Sequence, residues 1–202
     1  MFKSAKDLND TDEYLTLPSY LNSGLTTSSA YMGFRPNSYG FIEQTPTLDT
    51  FKTNYAADLL ESLNYLEATS DVLATAAEYG QIYGLSRDGN DNLVTDADFL
   101  TAYAKMLGVE KLSDEQKMTA TTMRQVAEAL SAAGALKEIN GEWKIDKGDG
   151  STFAGTAKEM KDLILAGMDN TKYQALIDKN MPIIMSNQID YLASAATQYA
   201  SD

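Results

Sequence analysis

The chain has 202 residues, 44% hydrophobic and 22% charged, with 16 basic against 29 acidic side chains and a formal charge of −13. That length and composition suit a folded domain of ordinary size, and the acidic balance argues against nucleic acid or an anionic membrane surface as partner. Cys and His are both absent, which excludes thiol nucleophiles, disulfides and thiolate metal sites, and removes the commonest general base and zinc ligand.

Residues 1–47 show no regular periodicity and are rich in Ser, Thr, Asn and Tyr, with Pro18, Pro36 and Pro46 as breaks. They also carry Tyr14, Tyr20, Tyr31, Phe34 and Tyr39, too much aromatic surface for a solvating tail. The stretch reads as an extended Tyr-rich arm, packed either on its own domain or on a neighbouring subunit. Its first residues, Met1-Phe2-Lys3-Ser4-Ala5-Lys6-Asp7, lack the apolar core of a cleaved secretory signal. No apolar run approaches the roughly 18 residues that a membrane span needs, so no membrane insertion is expected.

Residues 48–84 read as one long helix, with Asp49 in its first turn and Gly84 able to end it. Leu59, Leu63, Leu66, Ser70, Leu73, Ala77 and Gly80 step by four and three, a heptad-like seam whose small members would admit a close partner helix. Three capping boxes then predict three helix starts. They are Thr95 to Asp98, with a helix to Leu107; Ser113 to Gln116, with a helix to Ala133; and Thr156 to Glu159, with a helix to Ala166. Gly108, Gly134 and Gly167 follow as stops. Between the second and third, Asn140-Gly141 lies between alternating residues and predicts a β-hairpin over 136–145.

The last helix, 170–201, is kinked or restarted at Pro182. Beyond it Met185, Ile189, Leu192, Ala196 and Tyr199 repeat the four-and-three step. The expected fold is mainly α: a helical bundle with long terminal helices, shorter helices between them and one hairpin. Residues 48–202 form its helical domain, with a small middle subdomain at 86–168.

One segment carries possible ligand chemistry. Residues 87–98, Arg-Asp-Gly-Asn-Asp-Asn-Leu-Val-Thr-Asp-Ala-Asp, are followed by Phe99 and a helix ending in Leu107-Gly108. This resembles the calcium loop and exit helix of an EF-hand, and of a dockerin repeat in particular. With Asp98 at the closing position, Asp91 falls at the fifth and Thr95 at the ninth, while Arg87 and Gly89 stand where the family has ligands. The resemblance implies Ca2+ held by Asp88, Asn90, Asp91 and Asp98. The same residues also read as a polar turn followed by a capping box, with no ion.

No pair of carboxylates stands out by an apolar setting, and no cofactor is required, so the expectation is a non-enzymatic protein. Two narrow apolar seams and the aromatic arm point to assembly with itself or with other protein subunits. The candidate interface side chains are Tyr14, Tyr20, Tyr31, Phe34, Tyr39, Met185, Ile189, Leu192 and Tyr199. In organisation and composition the chain is similar to secreted bacterial filament subunits, both flagellin-like subunits and the extension filaments of type III secretion systems. A phage or virus structural protein would look much the same. The resemblance implies an extracellular, cell-surface or virion setting and no cleaved signal. The alternative is a helical protein-binding module with a calcium-stabilised loop.

Overall fold

The structure is a computed structural model and describes residues 32–35, 45–70, 73–147 and 155–200. Among them are six helices and one hairpin: α1 Leu48–Ser70, α2 Ala76–Leu85, α3 Asp96–Leu107, α4 Asp114–Ala132, β1 Leu136–Ile139, β2 Glu142–Ile145, α5 Ala157–Ala166 and α6 Asn170–Ala200. The fold is mainly α with one two-stranded antiparallel hairpin.

The helix expected over 48–84 is two helices. Thr75 caps α2: its hydroxyl accepts from the Glu78 N–H, and the Glu78 carboxylate accepts from the Thr75 N–H at 2.7 Å. This box satisfies locally the amides that a continuous helix would bond to the preceding turn, so the break is tolerated. The break lets α2 pack on α4 and on the hairpin, while α1 packs on α4, α5 and α6.

The seam splits with it. Leu59, Leu63 and Leu66 are buried in the core. Gly80 faces Trp143 of β2, not a helix: a Cβ there would stand 2.0 Å from Trp143 Cγ. The small residue is needed because an indole ring lies against the helix backbone.

The remaining boundaries follow local chemistry. Ser113 and Thr156 form complete capping boxes with Gln116 and Glu159. At Thr95 the hydroxyl accepts from the Asp98 N–H, but the Asp98 carboxylate accepts a hydrogen bond from the Thr95 hydroxyl, at 2.7 Å, in place of the cap N–H. The Asp side chain is one methylene shorter than Glu, and here it meets the cap hydroxyl. Asn140 and Gly141 turn the hairpin at φ 55° and 80°, the left-handed pair of a type I′ turn. The register pairs Leu136 with Ile145, which both face the core.

One hydrophobic cluster runs from Met32 and Phe34 through α1, α2, α4 and α5 to Ile184 in α6. Phe34 meets Phe51 edge-on at 5.1 Å, and Tyr55 and Tyr173 continue the aromatic group. Asp58 anchors the same strip, accepting the Gly33 N–H at 3.0 Å and pairing with Arg35. Across α1 and α4, buried Ser62 donates to Gln125 at 2.8 Å. Pro182 lies inside α6, which runs on through it.

Candidate functional site

The 86–98 loop is a compact hairpin closed by its own hydrogen bonds. The Val94 N–H reaches the Ser86 carbonyl at 3.0 Å, the Asp88 N–H reaches the Asn92 carbonyl at 2.9 Å, and Arg87 bridges Leu93. Asp88 Oδ1 accepts the Asn90 and Asn92 N–H groups at 2.8 and 2.9 Å, and Oδ2 accepts the Asn92 amide at 3.2 Å. These bonds, led by the backbone N–H of Asn92, hold the Asp88 carboxyl below its ordinary value. Asp91 sits at φ 64° with its carboxylate 3.8 Å from Arg87 Nε. Asp98 serves the α3 cap. Of the four expected ligands, Asp88, Asn90 and Asp91 thus share one tight turn, and Asp98 belongs to the helix start. Among the described residues no three Asp or Glu side chains converge as a metal cage.

Behind this loop lies a buried charge cluster that the sequence pattern did not single out. Arg124 on α4 is 0% exposed. It donates to Asp96 at 2.8 Å and to the Val94 carbonyl at 2.6 Å, with its guanidinium over Phe99 at 4.8 Å. One turn on, Glu128 pairs with Arg87, whose guanidinium also lies over Tyr83. Burial pushes the Glu128 carboxyl above its ordinary value, against the pull of Arg87 and Lys179, and its Oε1 finds no hydrogen-bond partner among the described residues. Burial likewise lowers Lys179. The cluster pins the 86–96 segment to α4. The sequence did not mark it: Arg124 and Glu128 stand four apart on a helix whose buried residues also include Thr122 and Gln125.

Among the described residues, two apolar surfaces are open. Ile184 is the last buried side chain described in α6, and beyond it Met185, Ile189 and Leu192 are 55%, 62% and 54% exposed. Ala193, Ala196 and Thr197 are exposed as well. The α6 backbone beyond Ile184 extends by about 24 Å at the helical rise. The second surface is a groove of about 570 Å³ where α3 turns into α4. Leu100, Ala104, Val109 and Leu112 line it, with Lys105, Lys111, Lys117 and Glu110. Met106, Leu107 and Met118 are exposed on the same two helices.

The expected interface residues therefore divide. Met185, Ile189 and Leu192 form one exposed row. Phe34 lies in the chain's own core, 1% exposed, because Phe51 and its neighbours offer it a pocket within the chain. Tyr14, Tyr20, Tyr31, Tyr39 and the Tyr199 side chain lie outside the described residues. No described helix is long and apolar enough to cross a membrane.

No family model, curated protein or solved structure matches the chain.

Proposed function

We propose that the chain is a non-enzymatic structural subunit that associates with further copies of itself through the C-terminal half of α6. The observation that supports this is the row Met185, Ile189, Leu192, more than half exposed at the four-and-three spacing of a helix-pairing seam. Isolated exposed apolar residues need no explanation, but a row of large ones along one stripe does. The N-terminal seam offers the contrast: Leu59, Leu63 and Leu66 have the same spacing and are used up inside the fold.

The seam alone gives weak association. Covering the exposed part of each of the three side chains contributes about 1 kcal/mol, so about 6 kcal/mol for a symmetric pair. That falls within the roughly 4–15 kcal/mol that association costs in lost freedom. Assembly through α6 is therefore concentration-dependent and strengthened by further contacts. The extracellular or virion setting belongs to the same proposal and rests on the likeness to filament subunits.

Sedimentation velocity over a wide concentration range, with electron microscopy of any fast fraction, tests the reading. Species that grow with concentration support it. A monomer at every concentration overturns it and leaves a module that binds a different protein.

A further inference from the structure

Resting on that reading, we propose that the acidic and apolar stretch Asp7–Leu17 of one copy seats in the α3–α4 groove of a neighbouring copy.

The groove combines two features. Its floor is apolar, from Leu100, Ala104, Val109 and Leu112, and three lysines line it against the single carboxylate of Glu110. Lys117 bonds Asp114 at 2.8 Å in an exposed pair. Lys105 and Lys111 form no ion pair among the described residues. In a chain of net charge −13 this is a local concentration of positive charge beside open apolar surface. Such a surface selects a ligand that is both acidic and apolar.

The chain contains one in its arm. Residues 7–17 carry Asp7, Asp10, Asp12 and Glu13 interleaved with Leu8, Tyr14, Leu15 and Leu17. The rest of the arm offers nothing similar: residues 18–47 hold only Arg35 and Glu43 as charges, and residues 1–6 hold Lys3 and Lys6.

Reach is sufficient. The root of the arm is fixed where Phe34 enters the core and Arg35 meets Asp58. Residues 18–31 span up to roughly 45 Å when extended, and a domain of this size is about 40 Å across. An arm in a neighbour's groove is a head-to-tail contact, which builds open chains unless it closes into a ring. The α6 row, by contrast, can pair with itself. The two contacts therefore give different assemblies and can be separated by experiment.

The absence of cysteine gives a clean test in the full chain. One population carries Leu15→Cys and another carries Val109→Cys; they are mixed and oxidised gently. The expected result is a disulfide-linked pair of twice the chain mass. Its yield is well above that of Leu15→Cys mixed with Lys158→Cys, an exposed position on α5. Lys105→Glu with Lys111→Glu lowers the yield at least tenfold, and Asp10→Lys with Asp12→Lys on the arm-bearing chain restores it. A yield no greater than the Lys158 control overturns the proposal. So does a yield indifferent to charge reversal, or, in a third population carrying both Leu15→Cys and Val109→Cys, a disulfide within the chain where the mixed single variants form none. Ile189→Ala with Leu192→Ala separates this contact from the seam. It weakens α6 association but leaves the arm–groove disulfide, whereas the lysine reversals remove the disulfide and leave α6 pairing.

Discussion

Replacing Ile189 and Leu192 by Ala removes three carbons from each side chain and keeps strong helix formers in α6. A buried CH₂ contributes about 0.8 kcal/mol. Both side chains are just over half exposed within the chain, at 62% and 54%, so only that fraction of the effect belongs to association. Across two residues on each of two copies the loss comes to about 4–6 kcal/mol of pairing energy. That is a weakening of Kd between roughly a thousandfold and a few ten-thousandfold. Stability of the single chain should change by no more than about 1 kcal/mol, about 0.5 for each exposed site. Sedimentation equilibrium gives the first quantity and urea unfolding of the dilute chain the second. Unchanged association would refute the seam as an interface. A loss of several kcal/mol in the dilute chain would place these residues in a core contact instead.

Two glycines one turn apart in α2, about 6 Å along its axis, should respond with opposite sign. Gly80→Ala drives a Cβ into Trp143 and should cost about 1–3 kcal/mol, while Gly84→Ala meets nothing within 4 Å and should gain up to about 1 kcal/mol in helix propensity; thermal melts of both check the contrast, and equal signs would refute the packing. Arg124→Met removes a buried charge but leaves the Val94 carbonyl without its donor, at about 1–3 kcal/mol, and hydrogen exchange should quicken first in residues 86–96. Burial holds the Glu128 carboxyl above its ordinary value, so the folded state takes up a proton more readily than the unfolded one. Its contribution to stability is complete below the unfolded value and is lost as pH rises through the folded one. The melting temperature of the natural chain relative to Glu128→Gln should therefore rise as pH falls from 7 toward 4; a fall would show that Arg87 outweighs burial. Millimolar calcium should leave the melting temperature unchanged, since Asp88 is engaged by the Asn90 and Asn92 amides; a rise specific to calcium over magnesium would establish an ion at the 87–98 loop.

Much of the fold was legible because it rests on contacts a few residues apart. The boxes at Ser113 and Thr156 and the Asn140-Gly141 turn are local hydrogen-bond and φ preferences, and they stand where the pattern placed them. The break after Ser70 had its own local signal in Thr75-Ala76-Ala77-Glu78, and an apolar seam runs through that signal without interruption. That seam is continuous in sequence but serves two neighbours, the helices against α1 and the Trp143 ring against α2.

Composition alone settled that no thiol or imidazole chemistry is available and that the chain is acidic. Only the tertiary structure decided what each apolar or charged row faces. Leu59, Leu63 and Leu66 share a spacing with the row Met185, Ile189 and Leu192, and Arg124 looks in sequence like any other helical arginine. The first row is buried, the second is open, and Arg124 is fully enclosed. Periodicity records that one side of a helix is apolar; whether that side is covered depends on which distant segments fold over it.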